Sequence, residues 1–199
     1  MKMIVKELLI YPVKSMGGIS MMTAKALKAG FEHDRRWMLI DSENKFITQR
    51  QVPELALFKT DIGDGHLTLT FKGESFNIEL DKSSSEVIYT QVWDDEAATI
   101  TVSPKADEWL SDALRMKTRL VKLRDEQSRS HHNKNHDLLL PVSLADGYPY
   151  LVAGTSSLEH LNNKLDESID MNRFRPNIVV VTEVPHGEDT WQSCKSGTA

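Results

Sequence analysis

Residues 55–71, Leu55-Ala56-Leu57-Phe58-Lys59-Thr60-Asp61-Ile62-Gly63-Asp64-Gly65-His66-Leu67-Thr68-Leu69-Thr70-Phe71, decide the fold class. Two largely apolar runs flank Gly63-Asp64-Gly65, and such a turn between apolar runs is a strong β-hairpin signal. The same short spacing continues outward on both sides. Towards the C-terminus, residues 76–80, 87–93 and 97–102 read as strands, some with clear alternation. Towards the N-terminus, residues 45–49 follow the turn formers Asp41-Ser42-Glu43-Asn44, and residues 35–40, 19–27 and 3–10 read as earlier strands. This half of the chain is expected to be antiparallel β, a barrel or a sandwich.

Beyond residue 102 the period changes. Ser103-Pro104 supplies a hydroxyl N-cap and a proline at the first helical position, and Trp109, Leu110, Ala113 and Leu114 give one apolar face. Residues 118–123 form another strand. Residues 124–146 are polar for most of their length, a run expected to be functional or disordered, and they mark the domain boundary. Residues 1–125 are read as one domain and 126–199 as a second. In the second, residues 150–153 form a short buried strand and Gly154-Thr155-Ser156-Ser157 turns into a helix. Ser156 with Glu159 matches a capping box, and Leu158, Leu161 and Leu165 make the stripe. Residues 178–181 are apolar enough for a central strand.

Composition narrows the function. The chain has 199 residues, 40% hydrophobic and 27% charged, as in an ordinary soluble globular protein, and a net charge of −5 argues against nucleic-acid binding as its main role. A single cysteine, Cys194, fits a reducing compartment. There is no signal-peptide pattern and no apolar run near the ~20 residues of a membrane span, so no membrane role is expected and the cytoplasm is the expected location.

Several places suit an anion. Tyr11-Pro12-Val13-Lys14-Ser15-Met16-Gly17-Gly18 ends the first strand, because proline cannot donate to a ladder, and its two glycines allow backbone angles closed to other residues. Lys14 and Ser15 are thereby held at a sheet rim beside small backbone, either as an anion contact or as a solvated strand end. In Asp34-Arg35-Arg36-Trp37, strand alternation sends the two arginines to opposite faces, one solvated and one useful. Arg50 is a weaker candidate of the same kind. Thr155, Ser156 and Ser157 either bind an anion at a helix start or only cap their own helix. Arg175-Pro176-Asn177 offers a planar guanidinium before a buried strand, for a phosphate or carboxylate ligand or for an internal acid. His131, His132 and His136 lack a scaffold for a metal, and Cys194 lacks the pattern of a nucleophile.

In order along the chain, Tyr11-Pro12-Val13-Lys14-Ser15-Met16-Gly17-Gly18, Asp34-Arg35-Arg36-Trp37, Phe46-Ile47-Thr48-Gln49-Arg50-Gln51, Leu144-Ala145-Asp146-Gly147-Tyr148-Pro149, Ser156-Ser157-Leu158, Phe174-Arg175-Pro176-Asn177-Ile178-Val179-Val180 and Glu188-Asp189-Thr190-Trp191 resemble the MOSC-domain proteins with an N-terminal β-barrel domain. That group includes the YcbX-like reductases and the mitochondrial amidoxime-reducing component. The resemblance implies a mainly β fold with α (α+β): an antiparallel β-barrel-like domain followed by a MOSC β-barrel domain. It implies a molybdenum cofactor (molybdopterin) with a terminal phosphate, an oxidoreductase acting on small N-hydroxylated substrates, and an electron-transfer redox protein or domain as partner. It matches Lys14, Ser15 and Arg35 to the N-terminal cofactor contacts, and Ser156, Ser157, Arg175 and Asn177 to those of the second domain. In the family a later cysteine ligates molybdenum, and that role is not carried onto Cys194, three residues after Trp191. The chain therefore reads as C-terminally truncated, its MOSC domain incomplete. It is expected to be inactive alone, and to dimerise through the incomplete domain or aggregate. A cofactor or sulfur carrier without turnover is the alternative.

Overall fold

Asp64 and Gly65 both take positive φ, 50° and 76°, so the turn of the quoted hairpin has the geometry that matches strand twist. The computed structural model describes residues 4–82, 84, 86–125, 129–133 and 137–193. Its strands are β1 (Ile4–Ile10), β2 (Ile19–Met21), β3 (Ala26–Leu27), β4 (Gly30–Phe31), β5 (Trp37–Ile40), β6 (Lys59–Gly63), β7 (His66–Phe71), β8 (Glu74–Glu79), β9 (Val87–Val92), β10 (Asp95–Thr101), β11 (Arg119–Leu123), β12 (Ser130–Asn133), β13 (Leu138–Pro141), β14 (Val152–Gly154) and β15 (Ile178–Val181). The helices are α1 (Pro104–Leu114) and α2 (Thr155–Asn162). The chain is mainly β with α, as expected, and its sheets are predominantly antiparallel. Among the described residues no sheet closes into a ring. No helix among them is long and apolar enough to cross a membrane.

The chain forms two compact units, one of Ile10–Ile19 and Ala24–Pro149, the other of Met1–Leu9, Ser20–Thr23 and Tyr150–Ala199. In the first, a four-stranded sheet β5-β11-β10-β9 accompanies a three-stranded sheet β6-β7-β8. Alternation buries Leu67, Leu69 and Phe71 of β7, and Phe58 stacks on Phe71 at 4.3 Å between ring centroids. The N-cap of α1 forms as expected: Ser103 accepts from the Ala106 amide at 3.4 Å, and Ala106 and Leu110 face the core. In the second unit the sheet order is β14-β15-β1-β2, which puts β15 in its interior as the apolar run predicts.

Several local expectations are corrected. Residues 53–57 form a 3-10 turn starting at Pro53, so the first hairpin strand begins only at Lys59. Residues 45–49 form no strand. Phe46 bridges Ile40 and Lys45 bridges Gln91 as isolated pairs, and the Ile47 amide donates to the Leu39 carbonyl. The polar run 124–146 contains the β12–β13 hairpin. Arg35 is not in a strand: its φ is 47°, and β5 starts two residues later. Gly17 and Gly18 do not take positive φ; Ser15 does, at 70°. Those glycines are needed for space instead. A Cβ on Gly17 would stand 2.6 Å from the Phe58 carbonyl oxygen, and one on Gly18 would stand 2.5 Å from the Tyr11 ring.

Candidate functional site

In the first unit the segment after β1 runs beside the segment before β5. The Arg35 amide donates to the Tyr11 carbonyl at 2.8 Å, the Trp37 amide to Pro12 at 3.1 Å, and the Lys14 amide to Trp37 at 2.7 Å. These bonds fix Lys14 and Arg35, both of which are buried. The Lys14 ammonium donates to the Leu144 carbonyl at 2.9 Å and to Asp146 Oδ1 at 2.7 Å, and it lies 5.3 Å from the Phe46 ring centroid. Burial pushes its pKa down from 10.5 to about 8 against the attraction of Asp146, and the Arg129 and Arg35 charges push the same way as burial. Lys14 is therefore not a solvated strand-end lysine.

Arg35 Nη1 reaches both Asp34 oxygens, at 2.9 and 2.7 Å, and the guanidinium stacks 4.5 Å from the Tyr11 ring centroid. Asp34 also accepts the Tyr11 amide at 2.8 Å. Arg36 is half-buried, so the two arginines do differ, but through a left-handed turn rather than through strand alternation. The Ser15 carbonyl accepts from Gln49 Nε2 at 2.6 Å, while its hydroxyl makes no hydrogen bond among the described residues.

Trp93, Asp95, Arg129 and Asp146, to which the sequence assigns no role, complete this cluster. Trp93 Nε1 donates to Asp146 Oδ1 at 2.9 Å, its ring meets Phe46 edge-on at 5.1 Å, and the Arg50 guanidinium lies 5.2 Å from its centroid. Burial would raise the Asp146 pKa, but Lys14 and Trp93 hold it below the usual carboxylate range. Fully buried Arg129 grips the loop that carries Asp146. It donates to the carbonyls of Ser143 (2.8 Å), Ala145 and Asp146 (3.2 Å), and to Asp95 Oδ2 (2.8 Å). His131 shares the same Asp95 oxygen through Nδ1 at 2.9 Å. His132 pairs instead with Asp137 at 2.8 Å, so these two histidines do not converge. His136 and Cys194 lie outside the described residues. Among the described residues no group of three or more His, Cys, Asp or Glu side chains could hold a metal.

In the second unit Ser156 and Ser157 sit in the first turn of α2, whose N-cap is Gly154, so the expected capping box is not formed. Ser156 Oγ pairs with Thr182 Oγ1 at 2.7 Å, and Thr182 Oγ1 also accepts the Ser156 amide at 3.1 Å. Ser157 Oγ accepts the His186 amide at 2.8 Å. The helix start already holds a carboxylate, since the Gly154 amide donates to Glu188 Oε1 at 2.8 Å. Burial would raise the Glu188 pKa, but hydrogen bonds from Ser157 and Gly154 hold it low. Arg175 is half-buried at φ 55°. Buried Asn177 bridges two chain segments, accepting from the Leu151 amide at 3.2 Å and donating to the Leu9 carbonyl at 3.2 Å.

A mainly β protein with buried cations held beside carboxylates is the class these observations define. The chain matches the MOSC N-terminal beta barrel domain over residues 2–117 and the MOSC domain over residues 140–199, and it belongs to this family. It is 26% identical to a molybdenum cofactor sulfurase of Arabidopsis thaliana, covering 96% of this chain and 26% of that one. It is 30% identical to the mitochondrial amidoxime-reducing component 1 of Danio rerio (98% of this chain, 63% of that one) and 29% identical to its counterpart in Mus musculus (97% and 60%). The chain thus spans about a quarter of the sulfurase and less than two thirds of the amidoxime-reducing components.

Proposed function

We propose that this chain carries the phosphate-binding share of a molybdenum-cofactor site, in an oxidoreductase that reduces N-hydroxylated compounds with electrons from a partner redox protein. The observation that carries the reading is Lys14, an ammonium held at 5% exposure in a family whose relatives are named for the molybdenum cofactor and for amidoxime reduction. Lysines are almost never fully buried unless paired, and the partner of Lys14 is Asp146, an exposed carboxylate that an anionic ligand could replace. The donors of the first unit fit an anionic group: the Lys14 ammonium, the Arg35 guanidinium and the unused Ser15 hydroxyl. In the other unit we propose Ser156, Ser157, Arg175 and Asn177, of which Ser156, Ser157 and Asn177 now bond Thr182, Glu188 and the Leu9 carbonyl. Each set is proposed as that unit's own cofactor contacts, and the cofactor would supply the two-electron redox chemistry when bound. No metal ligand is assigned. We further propose residues 1–125 and 126–199 as the two family domains, consistent with the matched ranges, although β1 joins residues 150–199 in one compact unit.

The test is the pterin and molybdenum content of the whole chain purified from a host that makes the cofactor. Both are expected in the wild type, with pterin lost in Lys14→Met and kept in Arg50→Met. Equal pterin in wild type and Lys14→Met, or none in either, overturns the proposal. The 26% identity to a cofactor sulfurase over 96% of the chain favours a second reading, a module that holds the cofactor without turnover. Pterin retention with no reduction of an N-hydroxylated compound by any supplied donor would select that reading.

A further inference from the structure

A recess of about 200 Å³ opens beside β4 and β5, lined among others by Gly30, Phe31, His33, Arg36, Trp37 and Lys122. Two of its polar groups meet the same indole. The His33 ring stacks on Trp37 at 6.4 Å and 25°, and Lys122, the register partner of Trp37 on β11, places its ammonium 5.3 Å from the Trp37 ring centroid. Both retain binding capacity. Of three ammonium donors, Lys122 uses one on the Leu80 carbonyl at 2.6 Å, and no carboxylate among the described residues pairs with it. Neither ring nitrogen of His33 makes a hydrogen bond among them. The backbone of His33 is held at φ 66°, a conformation uncommon outside glycine, and such outliers gather at functional positions. The acids of the recess are already engaged, Glu32 with Lys25 at 3.0 Å and Asp34 with Arg35 at 2.7 Å.

We propose that this recess binds a small oxyanion, a phosphate or carboxylate group, between the Lys122 ammonium and the His33 imidazolium. The site is a local basic patch on a chain of net charge −5, and it does not rest on the cofactor reading. Burial lowers the His33 pKa, Glu32 opposes it, and Lys122, Arg36 and Lys25 lower it further. Burial and Arg36 likewise lower the Lys122 pKa, with Asp81 opposing. A bound anion relieves this crowding of like charge, so binding and protonation of His33 strengthen each other.

The experiment is an NMR titration of the His33 imidazole in the whole chain, assigned with His33→Gln. Inorganic phosphate and acetate are added separately, against sodium chloride at matched ionic strength. Phosphate is expected to give a saturable shift and to raise the His33 pKa, with affinity increasing as pH falls through that pKa. Lys122→Met should weaken phosphate at least about tenfold, the loss of one charge-assisted hydrogen bond, and Lys122→Arg should keep most of it. An equal response to acetate identifies the ligand group as carboxylate as readily as phosphate, whereas a phosphate-only response identifies phosphate. A response matched by chloride overturns the proposal. So does one unchanged in a Lys122→Met protein with a dispersed amide spectrum.

Discussion

Lys14→Met removes a charge that the fold holds at a measurable cost. The Lys14 ammonium has two good acceptors, yet burial outweighs them and brings its pKa from 10.5 to about 8. Between those two values the unfolded chain binds more protons than the folded one, so stability rises with pH across that window. At ~1.36 kcal/mol per pH unit the whole span is worth about 3 kcal/mol, and about 2–3 kcal/mol of it falls between about pH 7 and about pH 10. The methionine variant keeps the alkyl stem and lacks the titration. Groups common to both proteins cancel in the difference, so the stability of the variant relative to wild type should fall by about 2–3 kcal/mol as pH is raised over that range. Urea unfolding of both proteins at about one-unit pH steps, followed by circular dichroism, measures it. A difference that stays flat within about 0.5 kcal/mol would place Lys14 in water with an ordinary pKa and refute the argument. The substitution Lys14→Glu is a poorer probe, since it puts a second carboxylate into a buried site beside Asp146.

Gly17→Ala should cost about 1–3 kcal/mol in urea unfolding, because its Cβ would meet a backbone carbonyl at 2.6 Å and not a side chain able to swing away; no cost would mean that this loop has slack. Asp95→Asn should cost about 3 kcal/mol, since it leaves the fully buried Arg129 guanidinium with carbonyl acceptors and no carboxylate bonded to it; a cost below about 1 kcal/mol would show that the carbonyls suffice.

Short-range signals carried most of the fold. The Asp64-Gly65 turn, the Ser103 cap and the apolar run in β15 each depend on residues a few positions apart, and each formed as read. Failures came where distant contacts decide. Gly17 and Gly18 looked like backbone hinges, but their constraint comes from Phe58 and Tyr11, which no local pattern reveals. Arg129 sits in a polar run that resembles a loop, and its burial is created by Asp95, 34 positions earlier, and by the carbonyls of residues 143–146. The burial of Lys14 was not legible locally, since its partner Asp146 is 132 positions away. The alternation that would have flagged β12 is masked by its histidines, which pair with acids instead of burying apolar surface.

Arg35 and Lys14, two of the buried cations of the first unit, are held by their acids in different ways, and this sets what each can offer an incoming anion. Asp34 is fully buried, takes Arg35 through both oxygens and also accepts the Tyr11 amide. A guanidinium cannot shed its proton, so Asp34→Asn takes the carboxylate held at 2.7 Å from a charge that stays, at about 3–5 kcal/mol. The Asp146 side chain is 74% exposed and can turn into water, and the ammonium it leaves behind already titrates near pH 8. Asp146→Asn lets Lys14 escape by losing a proton, which near pH 7 bounds the cost at about 1–2 kcal/mol. Urea unfolding near neutral pH should therefore separate the two variants by at least about 1 kcal/mol, and equal costs would refute the distinction. On this reasoning Arg35 is a fixed element whose acid stays in place when a ligand binds. Lys14 is the exchangeable contact, and an anion that takes the place of Asp146 also restores the charge that burial tends to remove.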